Sequence, residues 1–279
     1  MRKRTYTLLL VVLALLLAAC GGGAATTQAP PPETKATQAL PPTAEPTAAP
    51  AEPVVLRIGW AGSPDTLNPG TAVLAEAYTL FELVYDSMFQ LQLDGSYTPA
   101  LAESYEVSPD GKTWTFHLRP GARFHDGEPV TAADVVYSYN TYKNHEDFPF
   151  LPVYTGYFDT IEAPDDQTVV INLTEAIPNM ESQLIFLYVV PEHIWSKLDD
   201  ANLAEFENTE MIGSGPFKIV EYKQNEFVHL AVADNPLYHP KIDEIVFQTF
   251  ENQDALVQAL RTGQVDMITE MPATAVPKP

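Results

Sequence analysis

The stretch that decides most of the fold runs from Pro99 to Tyr137 and reads PALAESYEVSPDGKTWTFHLRPGARFHDGEPVTAADVVY. Residues 103–107 alternate in the manner of a β-strand, and residues 113–118 alternate again after the turn Pro109-Asp110-Gly111. Proline presets φ, aspartate bonds its own backbone and glycine accepts a positive φ, so the pattern predicts a β-hairpin. Thr131 is a good helix N-cap, so a helix is expected to follow the hairpin. This hairpin and helix contain no catalytic group.

The same residues resemble the signature of the family 5 solute-binding proteins of ABC importers, which bind peptides, oligopeptides, nickel and opines. The matching elements are Ala100-Leu101-Ala102-Glu103, Ser108-Pro109-Asp110-Gly111, Trp114-Thr115-Phe116 and the run from His125 to Asp134. Two further elements resemble family motifs, namely Gly213-Ser214-Gly215-Pro216-Phe217 and Asn235-Pro236-Leu237-Tyr238. The resemblance implies an α/β fold, periplasmic-binding-protein-like (type II, cluster C): one lobe with a mixed sheet and an inserted hairpin and helix subdomain.

The N-terminus has the pattern of an export signal. Arg2-Lys3-Arg4 precede an apolar run over residues 8–19, which is too short to span a membrane and is typical of a secretory leader. Leu17-Ala18-Ala19-Cys20 resembles a bacterial lipobox, so residues 1–20 are predicted to be a lipoprotein signal peptide with lipidation at Cys20. That implies an extracytoplasmic protein anchored to the bacterial cell membrane, in the periplasm or on the outer face. A plain secretory signal with a chance cysteine is the alternative.

The amino-acid composition indicates a linker, excludes an intramolecular disulfide and limits the kinds of partner that the protein can bind. Residues 21–53 are rich in Ala, Pro and Thr with few charges, so they predict a disordered linker. Cys20 is the only cysteine, so no intramolecular disulfide can form. The net charge is −22, and it is three charges more negative without the basic residues of the leader. Such a surface repels nucleic acid and anionic lipid headgroups, which argues against both as partners.

The remaining chain is predicted to divide around the inserted subdomain. Residues 54–86 and 191–270 are assigned to an incomplete lobe I, and residues 87–190 to the insertion. A helix is expected over residues 75–89, and the strand, helix and strand between residues 244 and 268 predict a crossover in a mostly parallel sheet. Family members are roughly twice as long, so residues 271–279 are expected to begin the hinge to a second lobe that is missing here. The chain is therefore expected to be an amino-terminal half, by truncation or as a genuine half protein.

No residue pattern demands catalysis. Ser214 lies between glycines, but position 212 is isoleucine, so the Gly-x-Ser-x-Gly pattern of an esterase nucleophile elbow is absent. Gly213 and Gly215 lack the third glycine and the lysine spacing of a phosphate loop. The six histidines form no pair at ligand spacing, so no metal and no cofactor are predicted, although a site assembled in space stays open. We therefore expect a binding protein and not an enzyme.

The candidate ligand-binding residues come from the resemblance. Carrying the cleft-lining positions of the family over to this sequence gives three places: Val73, Leu74 and Ala75; Phe186 and Leu187; and Thr269 and Glu270. Plain core or loop is the alternative at each place. In the family, the groups that fix the charged end of the ligand come largely from the second lobe, so the choice among peptide, nickel chelate, opine and oligosaccharide stays open.

The resemblance implies a monomeric, substrate-binding lipoprotein of an ABC importer. Such a protein captures peptides or similar small solutes by closing two lobes and delivers them to the transmembrane subunits of the permease. The first alternative is a surface sensor or adhesive lipoprotein that uses the scaffold without transport. An exported hydrolase is a third reading, but it requires a nucleophile and a base that the sequence does not show.

Overall fold

The computed structural model describes residues 52–272 and residue 275. The predicted signal peptide, the lipidation site Cys20 and nearly all of the predicted linker lie outside these described residues. Within them, no helix combines the length and the apolar character that crossing a bilayer requires.

Eleven strands and seven helices make up the described chain. The strands are β1 (Val55–Trp60), β2 (Phe89–Leu91), β3 (Tyr97–Pro99), β4 (Ala102–Val107), β5 (Thr113–Leu118), β6 (Phe158–Asp165), β7 (Thr168–Leu173), β8 (Phe217–Lys223), β9 (Phe227–Val232), β10 (Glu244–Thr249) and β11 (Met267–Ile268). The helices are α1 (Ala75–Val84), α2 (Ala132–Asn144), α3 (Leu151–Thr155), α4 (Met180–Leu184), α5 (Glu192–Trp195), α6 (Asp200–Leu203) and α7 (Gln253–Thr262).

A five-stranded sheet has the order β11-β1-β10-β9-β8. β1 lies between β10 and β11 and runs parallel to both, whereas β9 pairs antiparallel with β10 and with β8. The expectation of a mostly parallel sheet is thus corrected to an evenly mixed one. Short connections without a helix join β8, β9 and β10, and such connections suit antiparallel neighbours, because parallel neighbours need a longer crossover.

The crossover between β10 and β11 has the predicted helix. The side chain of Asn252 accepts a hydrogen bond from the backbone N–H of Ala255 at 2.9 Å, which caps α7. Gly263 ends the helix with a φ of 75°, a left-handed conformation that glycine adopts without strain. Both ends of the helix therefore carry a local sequence signal, an asparagine cap and a terminal glycine.

The predicted hairpin forms part of a second, antiparallel sheet with the order β4-β5-β7-β6. Its two strands, β4 and β5, pair as expected, and Tyr105 stacks on Trp114 with ring centroids 5.4 Å apart. α2 follows with Thr131 as its N-cap: the Thr131 N–H donates to Asp134 Oδ2 at 2.8 Å. Tyr139 and Tyr142 are buried on the inner face of this helix.

α1 ends five residues before the predicted boundary, at Val84 instead of Phe89. The turn at Gly213 and Gly215 covers the end of this helix, and Gly215 N–H donates to the Val84 carbonyl at 2.9 Å. A Cβ at Gly213 would overlap that carbonyl oxygen, so the close approach requires glycine. The chain then becomes extended and enters the small β2–β3 hairpin, which the sequence pattern did not predict.

Candidate functional site

The carboxyl ends of the three parallel strands meet at one edge of the five-stranded sheet. Trp60 ends β1 beside Thr249 of β10, and its indole N–H donates to the threonine hydroxyl at 3.0 Å. Thr269 follows β11 at the same edge, and its N–H donates to the Gly59 carbonyl at 3.1 Å. Glu270 is exposed and accepts from the Gln253 side chain at 3.2 Å. Ligands of open α/β sheets bind outside such strand ends.

The segment before α1 is tied to the loop that follows β1. The carboxylate of Asp65 accepts hydrogen bonds from the N–H groups of Val73, at 2.9 Å, and Leu74, at 3.3 Å. Val73 is 50 % exposed and Leu74 is 44 % exposed, and Ala75 is exposed as well. These apolar residues are therefore held on the surface near the sheet edge.

Phe186 joins this segment through Tyr78. Its ring meets Tyr78 edge-on with centroids 6.3 Å apart and lies 5.1 Å from the ring of Tyr154. The Tyr78 hydroxyl donates to the Ala72 carbonyl at 3.2 Å, immediately before Val73. We call the surface formed by Val73, Leu74, Tyr78, Tyr154 and Phe186 the aromatic face.

The candidate residues thus separate into three groups. Val73, Leu74 and Ala75 lie in an exposed segment that Tyr78 links to Phe186, and Thr269 and Glu270 lie at the carboxyl edge of the sheet. Leu187 differs, because it is fully buried in the core and has no surface to offer a ligand. Tyr154 was missed from sequence, since it meets Phe186 only in the folded chain.

A cavity of about 390 Å³ opens beside the aromatic face, between the end of α1, β2 and the buried run after α4. Phe186 belongs to both surfaces. The remaining lining residues are Glu82, Tyr85, Asp86, Ser87, Phe89, Gln90, Leu91, Ala100, Ile185, Tyr188, Pro216 and Tyr238. Two of these residues are acidic and none is basic.

Asp86 is the most unusual of the lining residues, because it is a carboxylic acid with only 5 % of its surface exposed. Burial raises its pKa to about 6, although the hydrogen bond that Oδ1 accepts from the Tyr238 hydroxyl lowers it. Ser214 lies beside the carboxyl group without an aligned hydrogen bond, and Oδ2 has no hydrogen-bond partner in the described chain. The Arg119 guanidinium donates to the Ala100 and Pro99 carbonyls and forms no ion pair with Asp86.

The chemistry expected of a hydrolase is not assembled around Ser214. Its hydroxyl is buried, and both ring nitrogens of the neighbouring His125 contact the backbone of Gly213 and Gly215. Burial lowers the pKa of His125, which keeps the ring neutral. Across the described residues, no three His, Cys, Asp or Glu side chains cluster in a way that could hold a metal ion.

A mixed-sheet lobe with the carboxyl ends of its parallel strands at one open edge is an arrangement in which α/β proteins bind small ligands. Comparison with known proteins agrees with this class. Residues 96–279 match the model of the bacterial extracellular solute-binding proteins, family 5. This chain belongs to that family, whose members are solute-binding proteins and not enzymes.

Individual relatives give the same assignment. The dipeptide-binding protein of Escherichia coli is 30 % identical over 209 residues, which are 67 % of this chain and 39 % of the relative. The ABC transporter substrate-binding protein CtaP of Listeria monocytogenes has a TM-score of 0.68 and 33 % identity, covering 77 % of this chain and 44 % of CtaP. AgaA of Agrobacterium tumefaciens R10, solved with agropinic acid, has a TM-score of 0.72 and 32 % identity, covering 79 % of this chain and 44 % of AgaA.

These matches confirm the predicted family and the predicted fold class. The chain spans about 40 % of the length of the curated relatives that it matches, and the described residues correspond to one lobe of the solved structures.

Proposed function

We propose that this chain takes part in solute capture for an ABC importer, with the aromatic face as its part of the ligand site. The solute would be a peptide or a similar small molecule, delivered to the transmembrane permease subunits by a monomeric protein anchored through Cys20. The observation that carries the proposal is the position of exposed Val73 and Leu74. Asp65 ties them to the loop after β1, and Tyr78 links their segment to Phe186.

The physical reason is that a solute needs both apolar contact and backbone partners. Tyr78, Tyr154 and Phe186 offer large, partly exposed rings, which are typical of binding pockets. The strand ends around Thr269 offer backbone groups of the kind that an extended peptide uses as an added strand. Closure against a second lobe would bury the other side of the solute.

We also propose the division predicted from sequence. In its support, the five-stranded sheet draws its strands from residues 55–60 and 217–268, and the four-stranded sheet draws its strands from residues 102–173. The inserted subdomain would thus stand beside the ligand-binding lobe.

The test is calorimetric titration of the full chain with a dipeptide, a longer peptide, an opine and a nickel–histidine chelate. Phe186→Ala removes a ring from the aromatic face and is expected to weaken binding of the preferred solute by about tenfold. Val220→Ala is the control, because Val220 is an exposed apolar residue on β8 that is not part of this face. Absence of binding across the panel, or equal loss in both variants, would refute the proposal.

A further inference from the structure

We propose that the cavity beside the aromatic face receives a cationic group of the solute, either an ammonium or a guanidinium. The inference rests on the proposed function, because it names the chemical class of solute that the same site selects. It would make the protein a receptor for peptides with basic side chains, or for amines of similar size.

The first argument is charge. Glu82 and Asp86 both line the cavity, and no lysine, arginine or histidine does. The charge of Arg119 lowers the pKa of Asp86, but the Arg119 guanidinium donates its hydrogen bonds to main-chain carbonyls and not to Asp86. An anionic solute would face two carboxyl groups and no basic lining residue, whereas a cation would be attracted.

The second argument is an unfilled acceptor. A carboxylate has two oxygens, and Asp86 Oδ1 already accepts the Tyr238 hydroxyl. Oδ2 is buried and has no aligned hydrogen bond in the described chain, although the Ser214 hydroxyl lies beside the carboxyl group, and Asp86 is one of the residues that line the cavity. Buried polar atoms are normally paired, and a charged donor on the solute would supply the missing bond.

The third argument is the aromatic wall. Tyr85, Phe186 and Tyr188 line the cavity, and the rings of Tyr85 and Tyr188 lie 6.3 Å apart and tilted by 45°. Glu82 lies close enough to Tyr188 to contribute to the raised pKa of that phenol, after the larger effect of burial. Tyr85 and Tyr188 are buried, so the partly exposed ring of the three is Phe186, and an aromatic ring close to carboxylates is a surrounding that stabilises an organic cation.

The first experiment titrates the full chain with butylammonium and, separately, with 1-butanol, while NMR shifts of the aromatic rings are followed. The amine is expected to bind about tenfold more tightly than the neutral alcohol of the same length. Glu82→Gln should remove most of this preference, and because Glu82 is exposed the variant should fold normally. Glu106→Gln, an exposed change on β4 of the other sheet, should leave the preference intact.

Asp86→Asn provides a second variant at the buried position and is expected to abolish the remaining preference. The cation site is wrong if amine and alcohol bind equally. It is also wrong if the preference survives in both the Glu82→Gln and the Asp86→Asn proteins.

A second experiment separates this inference from the proposed function. The tripeptides Ala-Lys-Ala, Ala-Leu-Ala and Ala-Glu-Ala are titrated in the same way, and the lysine peptide is expected to bind most tightly. If all three bind equally, the proposed function stands and the cation site is overturned. If butylammonium binds in the cavity but no peptide binds, the cation site stands and peptide capture is overturned.

Discussion

The buried carboxyl of Asp86 should make stability depend on pH in an uncommon direction. Its pKa is about 6 in the folded protein, against an ordinary value of 3.8. Between these two values the folded chain holds a proton that the unfolded chain releases. The contribution of Asp86 to stability is therefore complete below pH 3.8, falls as the pH rises, and is lost above about pH 6. Raising the pKa from 3.8 to about 6 costs the folded state about 3 kcal/mol at neutral pH.

Asp86→Asn tests this reasoning because the amide stays neutral at every pH. The Asn Oδ1 atom can still accept the Tyr238 hydroxyl, and the amide N–H groups lie beside the unpaired Ser214 hydroxyl. At pH 7.5 the variant should be more stable than the wild type by up to about 3 kcal/mol. The gain should shrink to nearly zero at pH 4.

Urea denaturation followed by circular dichroism, repeated between pH 4 and pH 8, measures the difference between the two proteins. Glu106→Gln is the control, since this exposed carboxyl should leave the pH profile of the wild type unchanged. The reasoning is refuted if the difference between wild type and Asp86→Asn is the same at every pH, or if it grows toward low pH.

Three further changes test the local arguments by the same denaturation assay. Gly213→Ala should destabilise the protein by about 3 kcal/mol, because the new methyl group would overlap the Val84 carbonyl. Gly95→Ala, at a positive φ in open space, should cost about 1 kcal/mol, and equal costs for the two changes would contradict the steric argument. Asn252→Ala should cost about 1 kcal/mol through loss of the α7 cap, and Gln258→Ala on the exposed side of α7 should cost less than half of that. Asp266→Asn should lower stability at neutral pH, because the side-chain hydrogen bond from Arg57 lowers the pKa of Asp266. The loss should shrink as the pH falls through that lowered pKa, and a loss that is the same at every pH would contradict this.

The elements predicted correctly from sequence are those whose signals are local. The hairpin depends on the turn Pro109-Asp110-Gly111, and α7 depends on its own cap and its own terminal glycine. The end of α1 was wrong because the turn that covers Val84 comes from Gly213 and Gly215, far along the chain. No residue near Val84 in the sequence indicates that contact.

The residues of the candidate site also differ in whether the sequence could identify them. The family resemblance led to Val73 and Phe186, which the structure places on one surface. The pairing of Asp86 with Tyr238 spans 152 residues, and neither residue carries a local signal of its partner. The cavity, with its unpaired acceptor, therefore becomes visible only in the folded chain.

The central position of β1 has a consequence for the order in which the protein forms. This first strand lies between β10 and β11, and the backbone of Val54 and Arg57 is bound by residues 189 and 209 positions later. During synthesis at about 5–20 residues per second, β1 must wait roughly ten to forty seconds for its neighbours to be made. The antiparallel sheet between residues 102 and 173 has all its strands close in sequence, so it can assemble during that interval. We expect β1 to be the last strand to pair. A nascent chain stopped before residue 244 should leave β1 without its neighbouring strands.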